Sequence, residues 1–275
     1  MKKVAHIIVC LLFIWNTSCH QQEDTPNGYP NTVAFTQLQS NTKMVLIPGG
    51  RYKPFFATDT ALVQVKPFLI DERPVTNEEF LLFVKANPHW QRSNIKRIHA
   101  DTSYLYSWIS DTILPKDAMP DAPITQISWF AAKAYATSVG KRLPMLDEWE
   151  FVAMADEDSP NAREKKSYSD RIVNLYLVNN KQFNSVKQSP PNYWGVYNLF
   201  DLVWEWTDDF NSILVTGDSR SGKYSDNNLF CAGSATSSSD VLNYAAFMRF
   251  SMNAGLKAHY TVNNLGFRCA KDLDN

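Results

Sequence analysis

Aromatic side chains are the feature of this chain that most constrains its fold. Its 275 residues include 16 Phe, 12 Tyr and 8 Trp, but only 10 Gly. Aromatic rings bury a large apolar surface each, so they can fill a core between irregular segments. Nucleotide-binding parallel sheets, by contrast, need glycine-rich turns. The composition therefore predicts an irregular, aromatic-packed core with many loops.

Charge and hydrophobicity narrow the class of protein further. Hydrophobic residues make up 44% of the chain and charged residues 20%, which is typical of a globular protein rather than a disordered one. The formal net charge is −1, so no broad positive field favours a nucleic-acid partner. After removal of a short leader, roughly 250 residues remain, which suits one large domain or two small ones.

The first 19 residues are predicted to be a signal peptide. Lys2 and Lys3 precede an apolar run, Val4 to Trp15, that is shorter than the roughly 20 residues of a membrane-spanning helix. Small residues before Cys19 resemble the bacterial lipobox, in which the cysteine is lipidated and becomes the new N-terminus. Asn16 departs from the branched aliphatic residue usual there. The alternative is plain secretion with cleavage nearby and a free Cys19.

Beyond the leader we expect a tether and one domain. Residues 20–41 are polar, with Pro and Gly, and are predicted to be flexible. Residues 42–273 form the predicted domain. A lipid on Cys19 would anchor the protein to a membrane of the cell envelope, at the periplasmic face or on the cell surface.

Two cysteines fall within the predicted domain, Cys231 and Cys269. They could form a disulfide in an oxidising compartment, or remain two buried free thiols. The sequence leaves both alternatives open.

Capping signals predict three helices. Thr76 and Glu79 form a capping box before an apolar run. Ser128 precedes a run of good helix formers that Gly140 ends. Asp147 is the predicted cap of a third helix.

The rest of the chain is predicted to form short strands and loops, giving an α+β fold. An apolar run over 63–70 predicts a strand that Pro67 breaks. Residues 156–170 are charged and are predicted to form an exposed loop. Beyond residue 172 there is little helix signal, so short strands and long loops are expected. Long loops need side chains that pack, so we expect structural roles for the following tryptophans: Trp129, Trp149, Trp204 and Trp206.

Specific motifs occur in order between residues 42 and 272. They are Met44–Gly50, Phe68–Asn77, a long signature made of Pro123–Trp129, Ala131–Gly140 and Lys141–Glu150, then Asn192–Asn198, Val203–Thr207 and Asn264–Cys269. Together they resemble the motifs of the formylglycine-generating-enzyme (sulfatase-modifying-factor) family. The resemblance implies a loop-rich α+β fold related to C-type lectins. Because a fold does not define an activity, the site has to be argued separately.

In catalytic members of that family, two cysteines five residues apart bind copper and activate oxygen. In the corresponding segment of this chain, which begins at Gly233-Ser234, the two positions fall on Ser237 and Leu242. Cu(I) prefers soft thiolate ligands, and thiolate is also the reactive form of cysteine. We therefore expect neither copper nor copper-dependent formylglycine chemistry.

The resemblance also implies calcium sites. One would use Glu205 with the backbone carbonyl of Val203, and Asp201 could add a carboxylate, because calcium takes six to eight oxygen ligands. A second would begin at Asn174, where the following loop is shortened. The alternative for Glu205 is structural, as an acceptor of backbone N–H bonds.

A further branch of the family holds non-haem iron with an H-x3-H-x-E pattern, which this chain lacks. Beyond the tether it has only His89, His99 and His259. His89 and His99 lie in a basic stretch that predicts either a surface binding patch or a solvated loop. His259 is a lone ligand candidate in a loop expected near the pocket.

Residues 230–267 look most like accessory proteins encoded beside copper nitrite reductases, the NirV-type branch. That resemblance implies an envelope accessory to denitrification, whose biochemical activity it does not define.

Two functions follow from these observations. We favour an accessory lipoprotein, not an enzyme, whose cleft binds a protein or peptide partner. The alternative is an oxidoreductase or protein-modifying enzyme with a non-standard site drawn from Cys231, Ser234, Ser237, Arg249 and His259. There Arg249 would activate the Cys231 thiol; otherwise Arg249 pairs with a carboxylate and Cys231 is a small buried residue. A ligand receptor is a third idea, because 235–264 is rich in Ser, Asn and Tyr.

Overall fold

Short strands and long connections make up most of the computed structural model. It describes residues 37–54, 62–177, 184–210, 248–249, 251–253 and 255–273. The predicted signal peptide with Cys19, and the candidates Cys231, Ser234, Ser237 and Leu242, lie outside the described residues. Within the described ranges, no helix is both long and apolar enough to cross a bilayer.

The strands are short and come from both ends of the domain. In chain order they are β1 (Met44–Ile47), β2 (Gly50–Tyr52), β3 (Val63–Val65), β4 (Phe68–Asp71), β5 (Trp204–Glu205), β6 (Leu265–Gly266) and β7 (Ala270–Asp272). β1, β4 and β7 form an antiparallel sheet in that order, β2 pairs antiparallel with β3, and β5 pairs parallel with β6. The predicted break at Pro67 separates β3 from β4, since proline cannot donate a ladder hydrogen bond.

Within the described residues, four α-helices and one 3-10 turn accompany these strands. They are α1 (Asn77–Ala86), the 3-10 turn Pro88–Trp90, α2 (Trp129–Ser138), α3 (Leu146–Ala153) and α4 (Lys166–Leu177). Short antiparallel strands, few helices and long loops confirm the predicted α+β class.

The predicted starts of the first two helices are confirmed. Thr76 caps α1 by accepting a hydrogen bond from the Glu79 backbone, and the Glu79 carboxylate accepts one from the Thr76 backbone. Ser128 caps α2 by accepting from the Ala131 backbone N–H at 3.2 Å. Gly140, with φ of +69°, follows the end of α2 in the left-handed region that favours glycine.

The predicted cap of the third helix is wrong. α3 is capped at Met145, one residue before its first helical residue, and Asp147 lies inside the first turn. The free N–H groups find carboxylates elsewhere: Glu148 accepts from the Met145 N–H at 2.8 Å, and Asp209 accepts from the Leu146 N–H at 2.7 Å. Asp147 instead accepts a hydrogen bond from the Tyr52 hydroxyl. A local carboxylate, Glu148, and a distant one, Asp209, therefore take the place of the predicted cap.

The prediction of a loop over 156–170, with little helix beyond, is also wrong. The end of that stretch begins α4, which continues to Leu177. Tyr168 and Ile172, four residues apart, are buried on one face, while Lys166 pairs with Asp170 at 2.6 Å on the outer face. The many charges concealed this narrow apolar stripe.

Aromatic packing dominates the core, as predicted. Phe80, Phe83, Tyr135 and Phe267 form one group, with ring centroids of neighbouring pairs 5.3–6.3 Å apart. Such edge and tilted contacts stabilise beyond the burial of area alone.

The tryptophans predicted to be structural are mostly buried. Trp129 and Trp206 donate their indole N–H groups to the carbonyls of Thr207 and Ile127, at 3.0 and 3.1 Å. Trp149 is buried as well, whereas Trp204 is only half-buried.

Gly266 lets β6 lie directly against a neighbouring backbone. A Cβ atom at this position would lie 2.5 Å from the carbonyl oxygen of Ile124 and 3.2 Å from a methyl group of Val203. No side chain fits there, so the close approach of β6 depends on glycine.

We predict that Glu79→Gln lowers the free energy of unfolding by about 2 kcal/mol at pH 7, because the carboxylate accepts charge-assisted bonds. Burial acts to raise the pKa of Glu79, but the bonds and charge of Arg73, with bonds from Thr42 and Thr76, outweigh it and hold the pKa below its usual value. A depressed folded pKa contributes stability above the unfolded pKa and loses it as pH falls through the folded pKa.

Urea unfolding of wild type and Glu79→Gln at neutral and acidic pH measures this. The difference in unfolding free energy between the two proteins should shrink as pH falls below about 4. A difference that is constant or grows on acidification contradicts the assignment.

Candidate functional site

A cavity of about 560 Å³ opens between α3, α4 and the segments around β5 and β6. Four aromatic side chains contribute to its wall: Trp149, Tyr176, Phe200 and Trp204. The polar side chains at its wall are Glu150, Glu205, Thr207, Arg249 and three asparagines, Asn253, Asn263 and Asn264. Concave sites of this size and mixed lining are typical of ligand-binding pockets.

An ion pair between Glu150 and Arg249 joins α3 to the opposite wall of the cavity. Arg249 Nε and Nη2 each donate to one Glu150 carboxylate oxygen at 2.8 Å. The side chains are only 10% and 11% exposed. The Arg249 guanidinium also lies 5.7 and 5.4 Å from the ring centroids of Trp149 and Phe200. Bidentate geometry and two aromatic contacts hold this arginine in one orientation.

Arg249 is paired with the Glu150 carboxylate. Burial acts to lower the pKa of its guanidinium, but the charge of Glu150 and hydrogen bonds with Glu150 and Tyr176 outweigh it and raise the pKa above its usual value. Of the two predicted alternatives, pairing with a carboxylate is confirmed. Activation of the Cys231 thiol involves a residue outside the described part of the chain.

A second buried ion pair, Glu205–Arg268, lies beside the cavity, and its Glu205 contributes to the wall. Arg268 Nε donates to the two Glu205 oxygens at 3.0 and 2.8 Å, and Nη2 donates to one at 2.9 Å. The Trp149 indole N–H donates to the same carboxylate at 2.7 Å. Both charged side chains are fully buried. Glu205 thus has a structural role, although its donors are side chains rather than the backbone N–H groups expected.

Arg268 also ties together backbone segments around the site. Its Nη2 donates to the carbonyls of Tyr197 and Asn198 at 2.9 and 3.2 Å, and Nη1 donates to the carbonyl of Asp71 at 3.3 Å. All the polar atoms of a buried guanidinium need such acceptors.

The residues predicted to bind calcium are spread over several elements. Asp201 accepts hydrogen bonds from Ser189 at 2.5 Å and from Asn198 at 3.0 and 3.2 Å. Val203 is buried, and Asn174 is exposed on α4. Because Arg268 covers both oxygens of Glu205, that carboxylate fits a cation poorly in this arrangement. Among the described residues there is no group of three or more His, Cys, Asp and Glu suited to a metal ion. Calcium at these positions stays a prediction.

None of the three predicted histidines lines the cavity. The ring of His259 packs against Tyr260, with centroids 5.0 Å apart. His89 and His99 lie on either side of Trp90, at 5.5 and 5.6 Å. Burial lowers the pKa of both, with added repulsion from His99 on His89 and from Lys96 on His99. The surface patch proposed for this stretch is thus separate from the cavity.

Cys269 is a free and fully buried cysteine. Burial, and then the neighbouring Asp71 carboxylate, raise the pKa of its thiol well above the usual value. A thiol held neutral is neither a good nucleophile nor a good metal ligand, so Cys269 is structural.

Several cavity residues were not predicted from the sequence. Glu150 and Thr207 are the last residues of two quoted motifs, and this terminal position was the available signal. Tyr176 lies on the unexpected α4, where its ring stacks on Trp204 with centroids 4.8 Å apart. Asn253 and Phe200 had no distinguishing pattern.

Comparison with known proteins identifies a matching family and several similar proteins. The family described as "Sulfatase-modifying factor enzyme 1-like domain" matches residues 30–273. The formylglycine-generating enzyme of Streptomyces coelicolor is 27% identical, over 86% of this chain and 91% of the relative. The "Inactive C-alpha-formylglycine-generating enzyme 2" of Bos taurus is 26% identical, over 60% of this chain and 69% of that protein. The structure of PvdO from Pseudomonas aeruginosa aligns with a TM-score of 0.45 and 22% identity, over 84% of this chain and 94% of that chain.

The family match covers residues 30–273, which is most of the chain. The chain therefore belongs to the sulfatase-modifying-factor (formylglycine-generating-enzyme) family. Its placement in the nitrite-reductase accessory branch stays a prediction.

We predict that Arg268→Met lowers the free energy of unfolding by about 3–5 kcal/mol, because it leaves Glu205 charged, buried and unpaired. Glu205→Gln combined with Arg268→Met removes that charge and keeps an acceptor for Trp149, so the double variant should be more stable than Arg268→Met alone. Chemical denaturation of the three proteins measures the effect. A double variant less stable than the single one contradicts this account of the pair.

Proposed function

We propose that this protein is a non-catalytic accessory lipoprotein of the cell envelope whose cavity binds a segment of a protein partner. The observation that carries the proposal is the lack of a cysteine pair: the family resemblance places Ser237 and Leu242 at the two expected cysteine positions, and no cysteine occurs between residues 232 and 268. A hydroxyl binds Cu(I) weakly and a hydrocarbon does not bind it. A cavity is present, and no cysteine lines it among the described residues, which favours a binding role.

The lining of the cavity supports a binding role. Aromatic rings supply contact area at low cost in conformational entropy, and the ion-paired arginine and glutamate hold the wall in one geometry. The Bos taurus relative is named as an inactive formylglycine-generating enzyme, so loss of activity within this family has a precedent. Anchoring through Cys19 would keep the binding site at the membrane.

The alternative, an oxidoreductase with a non-standard site, finds less support. Of its candidates, Arg249 is occupied by Glu150 and His259 does not line the cavity. Cys231, Ser234 and Ser237 lie outside the described residues.

Copper nitrite reductase is the partner that we propose to test first, because residues 230–267 resemble the accessory proteins encoded beside that enzyme. A copper nitrite reductase gene next to this one would support a role in denitrification. A sulfatase gene in that position would count against it.

We expect purified protein to contain neither copper nor iron in stoichiometric amounts, and to leave the cysteine of a sulfatase-type peptide unchanged in the presence of copper and oxygen. Mass spectrometry measures both the metal content and any aldehyde in the peptide. Cys231→Ser is the matched control and should match wild type. Stoichiometric copper or iron that Cys231→Ser loses, or any enzymatic aldehyde, would overturn the proposal in favour of the oxidoreductase.

A phage-displayed library of random heptapeptides tests for binding. Selected peptides should bind Tyr176→Ala about tenfold more weakly than wild type, because a buried aromatic contact in the cavity is lost. Tyr106→Ala should bind like wild type, since Tyr106 is 72% exposed and does not line the cavity. Equal binding by wild type and Tyr176→Ala in a calorimetric titration would show that the peptides bind elsewhere.

A further inference from the structure

Thr207 carries a buried hydroxyl that nothing in the described part of the chain satisfies. The residue is 2% exposed and contributes to the wall of the cavity, and its Oγ1 has no hydrogen-bond partner there. The backbone carbonyl of Thr207 is occupied, since it accepts from the Trp129 indole at 3.0 Å. Buried hydroxyls are normally paired, because an unpaired one loses its bonds to water without replacement.

The charges at the cavity wall are, by contrast, already neutralised. Both oxygens of Glu150 accept from Arg249, and both oxygens of Glu205 accept from Arg268. A charged ligand group placed here would compete with a buried bidentate pair or remain unpaired itself, and both are unfavourable. The site therefore disfavours acidic and basic ligands alike.

The other lining residues in the described part of the chain are uncharged. Asn253, Asn263 and Asn264 present side-chain amides, each with donors and an acceptor that match the reciprocal pairing of a peptide group. Trp204 and Tyr176 stack on each other at one side and offer an apolar surface. This combination matches a neutral segment that both packs and forms hydrogen bonds.

We propose that the cavity binds an uncharged, polar segment of the protein partner, and that the Thr207 hydroxyl is a specificity-determining contact to it. This inference rests on the proposed binding function and adds the chemical class of the ligand. Two features would make the cavity select neutral ligands. The paired charges disfavour ionic groups, and the Thr207 hydroxyl favours a group that can form a hydrogen bond with it.

Thr207→Val tests the role of the hydroxyl because it keeps the shape of the side chain and removes the unpaired oxygen. Its denaturation midpoint should equal or exceed that of wild type, while selected peptides should bind about tenfold more weakly. Thr207→Ser should restore binding. Thr137→Val, at an exposed position of α2, is the matched control and should bind like wild type. A lower midpoint for Thr207→Val would mean that the hydroxyl has a structural partner, and would overturn the inference.

Two heptapeptide libraries test the ligand class, one built without Asp, Glu, Lys and Arg and one with a charged residue in every peptide. Wild type should enrich binders from the neutral library, and these should lose affinity for Thr207→Val. Enrichment from the charged library alone, or equal affinity for wild type and Thr207→Val, overturns the inference but leaves the binding function standing. Failure of both libraries, or binding only to neutral oligosaccharides on a glycan array, overturns the binding of a protein segment itself.

Discussion

The buried pair of Glu205 and Arg268 is the constraint on which the candidate site depends. It connects β5 to the segment after β6, reaches α3 through Trp149 and holds three backbone carbonyls from other segments. Such a pair adds little net stability, because desolvation offsets much of the attraction. Its contribution is positional: in a fold made largely of loops, one guanidinium with fixed donor directions sets where the strands and turns around the cavity lie.

A second ion pair, Glu150–Arg249, has a similar structural role at the cavity. Glu150 and Arg249 come from segments 99 residues apart, and they meet in a bidentate pair between two aromatic rings. These charges hold segments of the wall together, and the rest of the described lining consists of amide, hydroxyl, aromatic and aliphatic side chains. This arrangement is the structural basis of the binding role proposed above.

Much of the fold could be predicted from local signals, but the site could not. The starts of α1 and α2 were predictable because Thr76 and Ser128 cap with residues three positions away. The cap of α3 was not, because Asp209, far along the chain, supplies an acceptor. α4 was concealed by its charges. The described lining of the cavity combines residues from five separate segments, and whether the hydroxyl of Thr207 finds a partner depends on packing that no motif records.

Gly266, which has no side chain, affects the orientation of the Arg268 guanidinium. It lies two positions before Arg268, where the backbone of β6 touches the carbonyl of Ile124. A Cβ atom at position 266 would clash with that carbonyl. We expect β6 to move outward and the Arg268 guanidinium to turn away from its acceptors. The position of Arg268 therefore depends on a contact between two backbones at Gly266. A residue without a side chain thus helps to determine where the cavity wall lies.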